Sequence, residues 1–449
     1  MAEAPTINRP RGTRDFDPQQ TAARHHVAAS MRAVFRRFAY REVQTPTFEE
    51  LALFTAKSGE GVVGELYDFK DKGGREMCLR PELTAPTMRL YFQEHFNDPK
   101  PIKWFYHGNC FRYDRPQAGR YREFWQFGCE QIGADTPLAY AELLALADAV
   151  MAEVGLKERD FYVGHVKILD YLVTALDLIP DDRTKAMRFI DKQDDAGLIH
   201  FLQDAPLASA VPKNASAREQ WLEMLRNVMA CRDLPSAKAA LHAASQRDAS
   251  GWNAVADWVD GLEQVFAHLT AFGVRNVTLN LGIARGLDYY TGIVFEMHCP
   301  ILGAEKQILG GGGYDLSRVF GGSPTPTMGF GLGFDRTIVA LERQAELAGQ
   351  AVAFPKDPGP ALYAAALSEA ATKRLLPIVS QLRARGVEVE LDLLGRKPGA
   401  VAKHADAVGA RRLAIVGDRD LEAGAVQVKE LATGNSELVR LDDLASRPW

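Results

Sequence analysis

The stretch Trp104–Gly133, WFYHGNCFRYDRPQAGRYREFWQFGCEQIG, constrains the fold more than any other part of this chain. Its flanks, Trp104 to Arg112 and Arg122 to Ile132, have strand-like composition, and the polar segment between them holds Pro116 and Gly119. An antiparallel hairpin with a basic tip is therefore expected. Side chains two apart share a face of a strand, which groups Phe124, Gln126, Gly128 and Glu130 on one side and Trp125, Phe127 and Cys129 on the other. The second group is an ordinary buried face. The first sets an amide, a gap and a carboxylate beside one aromatic ring, which suits a polar ligand lying flat on the sheet, with the ring stacking on a base and arginines meeting phosphate. A solvated strand face with scattered salt bridges is the competing explanation. Four arginines in one hairpin, Arg112, Arg115, Arg120 and Arg122, weigh against it.

Composition excludes several classes of protein. The 449 residues are 47% hydrophobic and 25% charged, enough for a large core. Such a length predicts roughly two to four domains. A net charge of −5 rules out a generally basic nucleic-acid coat, so any RNA contact must use local patches. The five cysteines form no CxxC pair, as expected of reduced core thiols. The first residues, MAEAPTINRPRG, contain no apolar leader segment, and no run of about eighteen apolar residues occurs, so a cytoplasmic protein with no membrane partner is expected. Gly59–Gly64 matches G-x-G-x-x-G, but a strand-like rather than helical segment, Glu65–Phe69, follows it. That context excludes a dinucleotide fingerprint and leaves a flexible loop over a pocket.

Other segments add candidate chemistry. Thr21–Phe38 has helical periodicity through Val27, Met31, Val34 and Phe35, and a strand around Glu42–Thr45 follows, closed by Pro46. In Leu79–Pro86, Glu82 and Thr84 stand two apart; on one strand-like face they would hold an ammonium group, and equally they suit the start of a helix after Pro81. Asp135-Thr136-Pro137 caps an apolar helix that ends at Gly155. Asp170 to Ala256 is helical, mixed in charge and free of concentrated motifs. Three glycine-rich segments then bracket polar residues: Leu281–Glu296 with Arg285, Asp288, Tyr289 and Tyr290; Gly310–Asp315 with Tyr314; and Thr327–Arg336, leading into a helix. Glycines let backbone approach a ligand, and Arg336 in a first helical turn makes an anion site. After a Pro- and Gly-containing linker, Leu362 onward alternates strands and helices as a small α/β domain, with modest basic spots at Arg396-Lys397 and Arg411-Arg412.

These motifs together resemble the class II aminoacyl-tRNA synthetases. The helix, strand and Pro46 are similar to motif 1; Phe111-Arg112-Tyr113-Asp114 and the strand after it to motif 2, with Asp114 where Glu is usual; and Gly331, Gly333 and Arg336 to motif 3. Arg285-Gly-Leu-Asp-Tyr-Tyr290 and the glycine run before Tyr314-Asp315 resemble the two signatures of the histidyl-tRNA synthetases, with Gly313 where many members have Arg. The resemblance implies an α+β catalytic core with an antiparallel sheet, a helical insertion and a C-terminal α/β anticodon-binding-like domain. The expected parts are 1–169, an insertion at 170–256, a second core part at 257–348, a linker at 349–360, and 361–449.

It further implies ATP-dependent activation of L-histidine and transfer to the 3' end of tRNA(His), with ATP and Mg²⁺ required, no protein-held metal, and a homodimer formed through motif 1. By the same resemblance, Arg112 and Arg285 are catalytic and bracket the α-phosphate; Arg120 and Arg336 face the γ-phosphate, Phe124 stacks the adenine and Asp114 meets its amino group. Glu82, Thr84 and Gln126 bind the ammonium group of histidine, Glu130, Tyr289 and Tyr290 its imidazole, with Tyr314 as a wall. Arg115 and Gln117 would touch the tRNA acceptor stem. A regulatory paralogue, a sister enzyme for proline or threonine, and a non-catalytic tRNA-sensing domain are the rival expectations.

Overall fold

The computed structural model describes residues 7–58, 60–113, 120–174, 176, 178–191, 194–205, 215–245, 252–283, 290–350, 354 and 358–449. Among the predicted site residues, Asp114, Arg115, Gln117, Arg285 and Tyr289 lie outside that set. The chain divides into two compact units, one of residues 1–15 and 27–353, the other of 16–26 and 354–449.

The large unit is built on an eight-stranded sheet. From edge to edge its strands are Arg41–Glu42, Ile102–Phe111, Glu123–Ile132, Thr327–Gly333, Gln307–Tyr314, Tyr290–His298, Asp160–His165 and Val277–Leu279. The six central strands are antiparallel, as expected, and only the two short edge strands pair in parallel. The hairpin strands pair from Ile102 with Ile132 to Phe111 with Glu123. This register puts Trp104, Tyr106, Gly108 and Cys110 on the same face as Glu130, Gly128, Gln126 and Phe124. Phe105 and Phe127 lie on the other face, where Phe35 stacks on them with ring centroids 4.7 and 5.9 Å away. Phe35 belongs to the helix Pro18–Arg37, whose buried Val27, Met31, Val34 and Phe35 are the stripe that helical periodicity marks.

Two details differ from expectation. The strand expected over Glu65–Phe69 is present but starts two residues later, at Tyr67–Lys70, after a 3₁₀ turn through Glu60–Glu65, and it pairs with Glu76–Leu79 in a separate three-stranded sheet. Trp125, assigned to the buried face, is only half-buried and borders the cavity described below. The helix after the hairpin runs Pro137–Glu153, with Thr136 accepting from the Ala139 amide at 3.2 Å, as its capping residues dictate. Helices then occupy Val166–Thr174, Pro180–Asp191, Asp195–Asp204, Ala215–Ala230, Leu234–Ser245 and Trp252–Phe272.

In the small unit, strands Val389–Leu391, Leu362–Ala366 and Arg412–Val416 pair in parallel, and Ala425–Glu430 and Ser436–Arg440 continue the sheet antiparallel. Leu362 and Ala364 pack under the helix Glu369–Ala384, while Tyr363 and Ala365 pack under Pro398–Ala407. A strand buried on both faces reads as continuous apolar sequence, which is what LYAAA shows. The expected hairpin-like end is present, preceded by a six-residue helix, Asp418–Ala423, too short to show a helical period. Arg396, read as a surface basic spot, is instead ion-paired with Asp392 and donates to the Tyr363 hydroxyl at 3.2 Å.

Candidate active site

One face of the large sheet opens into a cavity of about 750 Å³. Its lining includes Glu82, Thr84, Arg112, Arg120, Phe124, Gln126, Glu130, Tyr290, Tyr314 and Arg336, which are all the predicted site residues within the described set. They come from five separate stretches, joined by the antiparallel register.

Glu82 resolves the open choice between a strand face and a helix start. Its carboxylate accepts from the amides of Thr84 (2.5 Å) and Ala85 (3.1 Å) and so caps the helix Thr84–Leu90, while both Glu82 and Thr84 line the cavity. The neighbouring Arg80 is buried and holds this loop to the sheet, donating to the carbonyls of Asn109 (2.8 Å) and Thr45 (2.7 Å). Residue 108 must be glycine for that, since a Cβ there would stand 2.6 Å from Arg80 Nη2.

At the hairpin end, the Arg112 guanidinium lies over the Phe124 ring at 5.2 Å and its Nε donates to the Pro81 carbonyl at 3.0 Å. Arg336, in the first turn of the helix Phe334–Leu347, donates to the Gln307 carbonyl at 2.6 Å and borders the cavity. Three arginines, Arg112, Arg120 and Arg336, thus line the cavity. Asp335 braces it: its carboxylate accepts from Arg14 Nη2 and from the Trp125 amide, both at 2.6 Å. Arg14 also lies 3.5 Å from the centre of the Tyr121 ring, tying the segment before residue 16 to the hairpin.

Another part of the lining is aromatic, with Tyr106, Tyr290 and Tyr314 around Glu130. Glu130 is 1% exposed and accepts from the Tyr106 hydroxyl (2.8 Å) and the Tyr314 hydroxyl (2.5 Å). Burial pushes its carboxyl up to about 7, against the hydroxyls of Tyr314, Tyr106 and Thr84, which pull it down. Tyr290 flanks it, its own phenol pushed up by burial and by the Glu130 charge. Glycines make the room. A Cβ at residue 329, opposite Glu130 in the sheet, would stand 2.0 Å from Glu130 Oε2. The glycine run that suggested ligand approach therefore also accommodates a protein carboxylate.

Several lining residues escape sequence reasoning. Tyr106 faces the cavity because it pairs with Gly128, which counting back across the hairpin would have disclosed. Glu296 lines the cavity two residues from His298, whose Nε2 is 2.8 Å from its carboxylate; nothing local marks it. Gly313, which departs from the family signature, sits where a Cβ would be 1.8 Å from the Tyr140 hydroxyl. The tyrosine fills the space that a side chain at 313 would need.

A mainly antiparallel sheet with an arginine-bearing hairpin beside a glycine-rich strand that feeds a helix beginning with Phe334-Asp-Arg336 is the catalytic fold of the class II aminoacyl-tRNA synthetases. The family model for histidyl-tRNA synthetase matches residues 12–337, and that for an anticodon-binding domain matches 362–447. The chain is 41% identical to the histidine–tRNA ligase of Methanosarcina acetivorans over 445 residues, 98% of each chain. It is also 41% identical to that of Archaeoglobus fulgidus, covering 98% of this chain and 99% of the relative. The crystal structure of apo S. aureus histidyl-tRNA synthetase superposes with a TM-score of 0.69 at 27% identity, over 98% of this chain and 99% of that one. The chain belongs to the histidyl-tRNA synthetase family.

Proposed function

We infer that this chain activates L-histidine with ATP to give histidyl-adenylate and transfers the histidyl group to the 3' end of tRNA(His). The observation that carries the choice of amino acid is Glu130, a buried carboxylate among three tyrosines at the end of an arginine-lined cavity. An imidazole offers ring N–H groups to such an acceptor, and a ligand lacking them leaves the buried carboxylate unpaired.

In the first step the carboxylate of histidine attacks the α-phosphorus of ATP and pyrophosphate leaves. Such a reaction needs positioning and positive charge rather than a protein nucleophile. Arg112 and Arg285 bracket the α-phosphate and the attacking carboxylate; Arg120 and Arg336 hold the γ-phosphate end. Phe124, with Arg112 over its ring at 5.2 Å, stacks the adenine, whose amino group Asp114 meets. Glu82, Thr84 and Gln126 receive the ammonium group. Glu130, Tyr289 and Tyr290 receive the imidazole, with Tyr314 as a wall.

Mg²⁺ prefers oxygen donors and would be held chiefly by the phosphates of ATP rather than by the protein, since the cavity-lining carboxylate of Glu296 is already 2.8 Å from His298 Nε2. When bound there it supplies charge neutralisation to the phosphates. Arg115 and Gln117 contact the acceptor stem, the unit from residue 361 onward reads the anticodon, and the motif 1 helix and strand form a homodimer interface. The five-part division at 169, 256, 348 and 360 belongs to the same proposal, with the helix Trp252–Phe272 carrying the chain across the boundary at 256. The cytoplasm is the proposed compartment, since the five cysteines are free thiols.

Pyrophosphate exchange with each of the twenty amino acids tests this. Exchange with histidine alone is expected. Exchange with proline or threonine would point to a sister enzyme, and none with any amino acid would point to a regulatory or sensing protein.

A further inference from the structure

We propose that Tyr106 is a positioning residue that sets the hydrogen-bond polarity of the amino-acid pocket and couples its ammonium end to its imidazole end. The proposal rests on the assignment of the cavity to histidine. Tyr106 is 3% exposed and pairs across the hairpin with Gly128. Its hydroxyl donates to Glu130 Oε1 at 2.8 Å and lies 3.2 Å from Thr84 Oγ1. A phenol has a single proton. With that proton given to the carboxylate, the phenolic oxygen can only accept, so the Thr84 hydroxyl spends its own proton inward, on Tyr106 or on Glu130, which it also reaches. Thr84 is then left with lone pairs alone, the polarity that an ammonium group requires.

One chain of hydrogen bonds, from Thr84 through Tyr106 to Glu130, therefore joins the two ends of the pocket. The second oxygen of Glu130 is held separately by Tyr314 at 2.5 Å. Burial and the nearby Glu130 charge push the Tyr106 phenol well above its ordinary value, so it keeps its proton throughout the neutral range. The arrangement also explains a glycine. A Cβ at residue 128 would stand 2.4 Å from Tyr106 Cε2 and 2.6 Å from its hydroxyl.

The test is Tyr106→Phe, which keeps the ring and removes only the hydroxyl. In pyrophosphate exchange, KM for histidine is expected to rise about tenfold, the usual effect of losing a hydrogen bond to a charged group. KM for ATP should stay unchanged, which also reports an intact fold. The acidic limb of kcat/KM for histidine should move to higher pH, because Glu130 loses one of the three hydroxyls, those of Tyr314, Tyr106 and Thr84, that hold its charge. The titratable groups facing Glu130 are Glu82, Tyr290, Tyr314, Tyr40, Cys129 and Tyr106 itself, with the Thr84 hydroxyl beside them, and only Tyr106 is altered. In the Tyr106→Phe background, Thr84→Val should raise KM for histidine by a smaller factor than in the parent. A variant with parental KM for histidine and an unmoved limb overturns the proposal, as does one in which both KM values rise together. If the parent itself gives no exchange with histidine, the histidine site falls and the role of Tyr106 with it.

Discussion

Replacing Glu130 by Gln should make the protein less active and, above neutral pH, more stable. The carboxyl goes from an ordinary 4.5 to about 7 on folding, with burial the leading cause. Below pH 4.5 both the folded and unfolded chains hold the proton, and the group contributes nothing. Between 4.5 and 7 the folded chain holds a proton that the unfolded chain has released, so stability falls as pH rises; above 7 the full penalty is present. At about 1.4 kcal/mol for each tenfold change in proton affinity, the penalty comes to about 3 kcal/mol. The amide in Glu130→Gln carries no such charge. The stability gap between variant and parent should therefore widen in the variant's favour by roughly 2 to 3 kcal/mol between pH 5 and pH 8. Urea unfolding followed by tryptophan fluorescence at the two pH values measures it. In parallel, histidine-dependent pyrophosphate exchange at pH 8 should fall by roughly a hundredfold or more, because an amide cannot replace the acceptor. A gap that is the same at both pH values, or that widens in the parent's favour, would refute the premise that Glu130 is ionised at a cost in stability.

Three other outcomes are expected. Arg285→Ala should abolish adenylate formation with an unchanged far-ultraviolet circular dichroism spectrum, and near-normal pyrophosphate exchange would sink its assignment. Arg112→Ala removes the guanidinium stacked on Phe124 and should lower kcat for exchange by roughly a hundred- to a thousandfold at an unchanged melting temperature. Gly313→Arg installs the residue common in the family, yet its Cβ would stand 1.8 Å from the Tyr140 hydroxyl. Overpacking of that kind costs about 1 to 3 kcal/mol or more, so the melting temperature should drop, and adding Tyr140→Ala should restore part of it.

Much of this site was legible before any tertiary structure, and the residues show why. Period-two alternation separates Gln126 and Glu130 from Phe127 and Cys129 within a single strand, needing no partner, and the pairing in the sheet keeps that separation. Capping is equally local: Thr136 and Pro137 start a helix wherever the rest of the chain lies. The small unit's alternation of strands and helices likewise predicts its parallel strands.

Contacts between distant segments were another matter. Tyr314 and Glu130 are 184 positions apart and share a hydrogen bond only because two intervening strand pairings align. Gly329 as the space for the Glu130 carboxylate, Asp335 as the brace for Arg14 and Trp125, and Tyr140 in the place of a side chain at 313 are all of this kind. The sequence alone determined which residues are polar on an otherwise apolar face, because that pattern is written in neighbouring positions. Tertiary structure decided which of them meet, and that the hairpin's carboxylate sits buried between two tyrosines, because register and burial are properties of strands brought together from opposite ends of the large unit.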